Sequence, residues 1–311
     1  MGIDIQAARF LSSARQLGVS YKRTATLGRQ LFVATPDQLI DWFEGESKPH
    51  FSQEQKTQIS SSWGKYAETF FQVLGAESVD SFDASSFEQA TVLHDFNQPI
   101  AERLHAQYEA VVDCGSLEHI FNVPVALANL MKMTSVGGHL ILITPANNFC
   151  GHGFYQFSPE LFFRVFDQSN GFRLKRVLLA ENLPDAWWWE VPDPAAIRRR
   201  VTFENRYWTH LFLVAERFEQ REVFREPPQQ SDYAALWRTH RESGVEYDPN
   251  STVESATPSN RWLKRLARWK RSIKYRYLKY TRFGGKDREL MMKAQVFTRV
   301  TDLDFSKSQT K

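Results

Sequence analysis

The sequence is poor in the features that mark secreted or membrane-spanning proteins. Its 311 residues include only two cysteines, Cys114 and Cys150, which are too few for a disulfide framework and favour a reducing compartment. No run approaches the ~20 consecutive apolar residues that cross a bilayer. The first residues include Asp4 and lack the apolar segment of a signal peptide. We therefore expect a cytoplasmic protein whose membrane contact, if it has one, is peripheral.

Acidic residues are scarce in one part of the chain. The net charge is only +3, but residues 221–311 hold 20 Lys and Arg against 11 Asp and Glu, whereas residues 1–220 hold 19 against 25. This asymmetry indicates a polyanionic partner or an anionic membrane surface for the basic part. Hydrophobic residues make up 42% of the sequence, which is enough for a packed core.

Strand-like and helical patterns alternate through the middle of the chain. Strand-like segments that end near residues 27, 83, 93, 113 and 143 predict strands, with helical patterns at 36–45, 63–74, 123–133 and 159–166. Two closing strands, 172–179 and 207–215, lack a full crossover. The pattern predicts an α/β fold: a Rossmann-like, mostly parallel sheet with helices on both faces and one antiparallel edge strand.

The chain divides into four predicted segments. They are an N-terminal helix in 1–21, the α/β domain in 22–217, a linker with a short helix in 218–260, and a basic, aromatic extension in 261–311. Residues 261–286 hold eleven basic residues and no acid, with apolar residues at helical spacing. This pattern fits a helix lying on an anionic membrane, or a helix packed on its own domain with a solvated basic face. Binding of this segment to nucleic acid is less favoured than either of these two interpretations.

The residues at the predicted strand ends are the candidates for ligand binding. In open α/β sheets the ligand lies outside the carboxyl ends of the strands, where the strand order reverses. The residues at these ends are Gly28, Asp83, Asp95, Asp113 and Thr144. Each Asp alone fits a turn equally well, because Asp favours turns. Three Asp at successive strand ends favour a common nucleoside site.

Several of these segments resemble one known family. They are residues 80–85 (DSFDAS), 94–97 (HDFN), 108–122 (YEAVVDCGSLEHIFN) and 133–145 (MTSVGGHLILITP). In this order and spacing they resemble class I methyltransferases that use S-adenosylmethionine (SAM). Residues 146–159 (ANNFCGHGFYQFSP) are similar to a subgroup that methylates bacterial surface sugars and small molecules. The resemblance covers residues 22–217.

The resemblance implies a role for each matching residue. Gly28 would lie beside the methionine part of SAM, Asp83 would bind the ribose, and Asp95 with Phe96 would flank the adenine. The methyl-donor site would be lined by Asp113, Cys114, Gly115, Ser116, Glu118 and His119. SAM is therefore the expected cofactor.

The first loop departs from the family pattern. Only one glycine of the usual GxGxG motif is present, in Leu27-Gly28-Arg29-Gln30. Gly28 and Asp83 are also 55 positions apart, which predicts an inserted segment in about 36–62. Three functions remain open: a methyltransferase acting on a small-molecule, sugar or glycan-type acceptor, a non-catalytic methyltransferase-like binding or scaffold protein, and an RNA methyltransferase.

The candidates for acid–base chemistry follow the fourth and fifth strands. His119 or His152 can take the proton of a hydroxyl acceptor, with Tyr155 orienting it, although His119 fits a role as a loop brace equally well. Cys150 and His152 lack further ligands at zinc-like spacing, so no metal site is expected. The run at 187–189 (WWW) predicts either an acceptor pocket or a buried aromatic lid.

Overall fold

A computed structural model describes residues 2–45, 50–198, 200–243, 297–301 and 305. The helices are α1 (Ile5–Ala14), α2 (Pro36–Glu44), α3 (Gln53–Ser60), α4 (Glu68–Val73), α5 (Val123–Met133), α6 (Pro159–Val165), α7 (Pro194–Ile197) and α8 (Ser231–Ser243). The strands are β1 (Gly2–Ile3), β2 (Arg23–Leu27), β3 (Leu31–Phe32), β4 (Ser78–Asp83), β5 (Val92–Leu93), β6 (Tyr108–Cys114), β7 (Thr134–Asn147), β8 (Phe172–Glu181), β9 (Trp188–Glu190), β10 (Thr209–Arg217) and β11 (Thr298–Val300).

Within the described residues, the main sheet has nine strands in the order β11-β9-β8-β10-β7-β6-β2-β4-β5. Strands β5, β4, β2, β6 and β7 pair in parallel. Within this sheet the chain starts at β2, moves outward through β4 to β5, and then returns to the other side of β2 to form β6 and β7. The order therefore reverses between β2 and β6, which is where ligands bind in sheets of this kind. The predicted Rossmann-like, mostly parallel sheet is confirmed.

The antiparallel strand is present, but it does not lie at the edge. Strand β10 pairs with β7 on one side and with β8 on the other, antiparallel to both. Strand β9 is also antiparallel to its neighbours and is flanked by β8 and β11. The predicted edge position is therefore wrong. The reason is that β8, which precedes β10 in the chain, takes the outer place and leaves a gap that β10 fills.

Helices cover both faces of the sheet, as predicted. Along β6 the side chains alternate: Ala110 and Val112 enter one core, and Val111 enters the other. Helices α1 to α4 contribute to the first core, and helices α5 and α6 contribute to the second. This alternation is the pattern expected of a central strand that is buried on both sides.

The predicted insertion between the first two main strands is confirmed. After β2 the chain forms β3, which pairs in parallel with β1, and then forms α2, α3 and α4 before β4. Helices α2 and α3 both begin with a capping box, at Thr35 and Ser52, which satisfies backbone amides of the first turn. The helix predicted from residue 63 begins later, at Glu68.

The last described residues return to the domain. Strand β11 pairs with β9, and the Phe305 ring is 0% exposed against Phe10 and Trp188. The Arg176 side chain donates a hydrogen bond to the Phe305 carbonyl (2.8 Å). The predicted basic helix in 261–286 lies outside the described residues. No helix in the described part of the chain is long and apolar enough to cross a membrane.

Candidate functional site

The loop that leaves β2 touches the loop that leaves β6, at the point where the strand order reverses. Leu27 is paired with Phe82 of β4 and with Asp113 of β6. Gly28 has a positive φ of 72°, and a Cβ atom on it would lie 2.7 Å from the Ser116 hydroxyl oxygen. That hydroxyl donates a hydrogen bond to the Leu27 carbonyl (2.9 Å). Both the backbone angle and the close contact favour glycine at position 28.

Side chains hold this loop where the family pattern has further glycines. The Arg29 guanidinium pairs with Glu68 at the start of α4 (2.7 Å) and donates to the Glu88 carbonyl (3.1 Å). Arg29 also lies over the Tyr66 ring, 3.9 Å from its centroid. Gln30 is buried and donates to the Leu27 carbonyl. The loop is therefore tied to the inserted segment.

The end of β4 lies next to the end of β5. The Asp83 carbonyl accepts a hydrogen bond from the His94 amide (2.8 Å), and the Gly28 amide donates to the Phe82 carbonyl (2.7 Å). One carboxylate oxygen of Asp83 accepts from the amide of Ser85 (2.8 Å). The predicted residues Gly28, Asp83 and Asp95 are thus brought to one edge of the sheet.

Asp95 and Phe96 differ in accessibility. Asp95 is exposed and accepts hydrogen bonds from the Asn97 amide (2.9 Å) and side chain (2.8 Å), which lower the pKa of Asp95. The Phe96 ring is only 3% exposed and packs against Phe82 and His94. Phe96 therefore contributes mainly to the core, whereas stacking on a base needs an open ring face.

Asp113 is a fully buried carboxyl at the end of β6. One oxygen accepts from the amides of Ser116 (2.9 Å) and Leu117 (3.3 Å). Burial nevertheless raises the pKa of Asp113 to about 7, because removing the charged form from water outweighs these bonds. The next residue, Cys114, packs in the core under α1, and burial raises the pKa of its thiol. Gly115 follows with a positive φ of 89°.

Glu118 and two histidines form a cluster beside Asp113. Glu118 is 0% exposed, and its Oε1 atom lies 3.6 Å from Nε2 of His152 and 4.0 Å from Nε2 of His119. Burial first, and the nearby Asp113 second, raise the pKa of Glu118 to about 8. Burial and the neighbouring His152 lower the pKa of His119. The structure thus brings His152 next to Glu118 and His119, which precede it by 34 and 33 positions in the sequence.

The predicted orienting residue Tyr155 lies at an exposed aromatic rim. Its hydroxyl proton is donated to the Phe121 carbonyl (2.8 Å), so this hydroxyl does not donate to an acceptor molecule in this arrangement. The rings of Phe121 and Phe154 meet edge to face with centroids 6.0 Å apart, and they are 72% and 68% exposed. These two exposed rings, each two positions after one of the histidines in the sequence, offer an apolar contact for an acceptor.

Unpaired polar atoms gather at this edge of the sheet. Side-chain atoms that are buried and accept or donate no hydrogen bond among the described residues include Gln30 Oε1, Asp113 Oδ2, both carboxylate oxygens of Glu118, Thr144 Oγ1 and His152 Nε2. Most of these atoms are acceptors. A ligand that supplies hydrogen-bond donors and positive charge fits this edge, since buried polar groups are normally paired.

His210 and Phe149 belong to the site but escaped the sequence reasoning. His210 is buried, and its burial lowers the pKa of the imidazole to about 4. The Phe149 ring lies 4.7 Å from the His210 ring and 5.7 Å from the His152 ring, centroid to centroid. The sequence feature that could have indicated His210 is its place at the start of β10. Because β10 runs antiparallel to β7, its amino end lies at the carboxyl edge of the parallel strands.

The tryptophans at 187–189 lie away from this edge. Trp188 and Trp189 are buried, and the Trp188 indole donates to Gln6 (2.8 Å). Trp187 lines a separate cavity of about 380 Å³ between α1, α2 and β9, where Arg299 stacks on it at 3.8 Å. The interpretation as a buried aromatic layer therefore holds for Trp188 and Trp189. None of the predicted cofactor residues lines the cavity beside Trp187.

Comparison with known proteins gave structural likenesses only. No family model and no curated protein matches the sequence. A branched-chain polyamine synthase from Thermus thermophilus, in complex with N4-aminopropylspermidine and 5'-methylthioadenosine, is 12% identical, covers 73% of this chain and 61% of its own, and gives a TM-score of 0.35.

A second similar structure is the 1,6-didemethyltoxoflavin-N1-methyltransferase of Burkholderia thailandensis, with bound 1,6-didemethyltoxoflavin and S-adenosylhomocysteine. It is 13% identical, covers 68% of this chain and 79% of its own, and gives a TM-score of 0.34. At these identities and scores the fold assignment rests on the order and direction of this chain's own strands.

Proposed function

We propose that this protein is a SAM-dependent methyltransferase that acts on a small-molecule, sugar or glycan-type acceptor. The observation that carries the proposal is the meeting of Gly28, Asp83, Asp95 and Asp113 at one carboxyl edge, around the point where the strand order reverses. Open α/β sheets bind their ligands at this point. The family resemblance of residues 22–217 supports the same site.

The unpaired atoms at this edge match the chemistry of SAM. SAM carries a sulfonium and an ammonium group, and its adenine and ribose supply neutral donors. The second oxygen of Asp113, which has no partner in the described part of the chain, suits a donor of this kind. The exposed Asp95 suits the exocyclic amine, and Asp83 suits the ribose hydroxyls. Bound SAM would supply an activated methyl group.

The residues of this chain would then position the acceptor and exclude water. A hydroxyl acceptor needs a base within about 2.6–3.2 Å. His119 and His152 are 48% and 35% exposed, and the exposed rings of Phe121 and Phe154 lie on the loops that carry them. A sugar or aromatic acceptor can therefore rest on the rings and present its hydroxyl to a histidine.

Calorimetric titration with SAM tests this assignment. We expect Asp83→Asn to weaken SAM binding by about 10-fold or more, because one charge-assisted hydrogen bond contributes about 1.5–3 kcal/mol. Asp37→Asn, on the first turn of α2, is the matched control and should bind like the wild type. Absence of binding by folded wild-type protein at millimolar SAM, or equal binding by Asp83→Asn, would contradict the proposal.

A second candidate function is binding without methyl transfer. It is favoured by Arg29 and Gln30, whose side chains occupy the loop where the family has glycines. Turnover of SAM in the presence of sugar and small-molecule acceptors separates the two functions. SAM binding with no conversion to S-adenosylhomocysteine across acceptor classes would favour the binding function.

We further propose that residues 261–286 bring the protein to an anionic membrane surface, on their sequence pattern alone. Co-sedimentation of the full chain with phosphatidylserine vesicles tests this. Binding that is lost when residues 261–286 are deleted supports it. Binding to RNA but not to vesicles would favour a nucleic-acid substrate instead.

A further inference from the structure

The geometry points to a site for one divalent transition-metal ion of the zinc class, held by Glu118, His119 and His152. The three side chains each offer one ligand atom, and these atoms all lie within 4.8 Å of one another. Two imidazoles and one carboxylate are a common ligand set for zinc. Because this inference concerns the metal alone, it does not depend on SAM binding.

The distances are close to those that a tetrahedral ion requires. Zinc binds imidazole nitrogen and carboxylate oxygen at about 2.0–2.2 Å, which places neighbouring ligand atoms about 3.4 Å apart. Oε1 of Glu118 lies 3.6 Å from Nε2 of His152 and 4.0 Å from Nε2 of His119. All three ligand atoms lie within 4.8 Å of one another, so rotation of the partly exposed imidazoles would have to bring the two nitrogens closer together to complete the geometry. Direct hydrogen bonds between these atoms would need shorter distances.

The burial of Glu118 gives the second, independent argument. The side chain is 0% exposed, and neither carboxylate oxygen accepts a hydrogen bond from another described residue. A buried carboxyl group without a hydrogen-bond partner is costly in either protonation state, because buried polar groups are normally paired. Nε2 of His152 is buried as well and has no hydrogen-bond partner in the described part of the chain. Unpaired ligand atoms therefore face one another across the cluster.

The backbone fixes the two segments that carry these ligands. The Phe154 amide donates to the Glu118 carbonyl (2.8 Å). Gly153 fits closely, because a Cβ atom on it would lie 2.8 Å from the same carbonyl oxygen. His152 is thus held beside Glu118 by the residues that follow it.

The proposed site is open on one side. His119 and His152 are 48% and 35% exposed, so an ion can enter from solvent. Three protein ligands leave one position of a tetrahedral ion for water or an oxygen of a substrate, which is the arrangement of catalytic rather than structural zinc sites. The site therefore fits a Lewis acid that contacts an oxygen-bearing molecule at the exposed rim, and an ion held there would replace the histidines as the group that activates an acceptor hydroxyl.

Titration of the chelator-treated full chain with Zn²⁺ alone, followed by calorimetry, tests the proposal. We expect one Zn²⁺ per chain and an increase in the melting temperature. His119→Ala and His152→Ala should each weaken Zn²⁺ binding by more than about 100-fold, since even changes outside the ligand set cost about 10–100-fold. Both side chains are partly exposed, so these variants should fold; circular dichroism checks this.

Three further variants make the test specific. His50→Ala removes an exposed histidine elsewhere, and Cys150→Ser removes the neighbouring thiol; both should bind Zn²⁺ like the wild type. Glu118→Gln keeps the shape of the side chain and should lose binding. No binding by the wild type, or equal binding by His152→Ala, would overturn the inference. SAM affinity measured on the metal-free protein reports on the methyltransferase proposal separately.

Discussion

Replacing Gly28 by alanine perturbs the contact between the β2 and β6 loops directly. The positive φ of 72° costs an L-residue about 1–2 kcal/mol. The new Cβ would also lie 2.7 Å from the Ser116 hydroxyl and displace it from the Leu27 carbonyl. Loss of that hydrogen bond adds about 0.5–1.5 kcal/mol. We expect Gly28→Ala to lower the free energy of unfolding by about 2–3 kcal/mol in urea denaturation.

Gly64 supplies a matched control for this prediction. Its φ is 70°, but an added Cβ would meet nothing within 4 Å. Gly64→Ala should therefore lower the free energy of unfolding only through the strain of the positive φ, by about 1–2 kcal/mol. If Gly28→Ala lowered the free energy of unfolding no more than Gly64→Ala does, the close contact between the β2 and β6 loops would be refuted.

Three further predictions concern packing, pH and thiol chemistry. Phe305→Ala should lower the free energy of unfolding by about 3–5 kcal/mol, because the ring is completely buried; a change below 1 kcal/mol would show that the segment is not docked. The hydrogen bond from Arg173 lowers the pKa of Glu216 to about 2 from 4.5, so this pair stabilises the protein above about pH 4.5 and the effect fades as pH falls toward 2. Glu216→Gln should thus be less stable by about 0.5–1 kcal/mol at pH 7, with the gap closing in acid. A thiol reagent should modify the exposed Cys150 in the native protein and reach Cys114 only after unfolding; two rapid equivalents would contradict the burial of Cys114.

The alternation of patterns was enough to predict the sheet and the residues at its edge. Asp83 and Asp113 lie at the ends of predicted strands, and the carboxyl ends of parallel strands meet at one edge of a sheet. The unusual spacing between Gly28 and Asp83 predicted the insertion that now forms β3 and α2 to α4. These features are local, so the sequence shows them directly.

Features that depend on distant contacts were not predicted. Glu118 and His152 meet only because the loop after β7 folds back onto the turn after β6, and no spacing rule links positions so far apart. The central place of β10 depends on which strand fills the gap beside β7. Strand alternation does explain Cys114: its side chain must point to the face opposite Asp113, toward α1.

The most direct test of the central claim is a crystal structure of the full chain with S-adenosylhomocysteine. The account predicts density for the ligand at the carboxyl edge between β2 and β6, with the ribose hydroxyls at Asp83 and the amino acid end near Gly28 and Asp113. Density in the cavity beside Trp187, or an empty edge at saturating ligand, would contradict it.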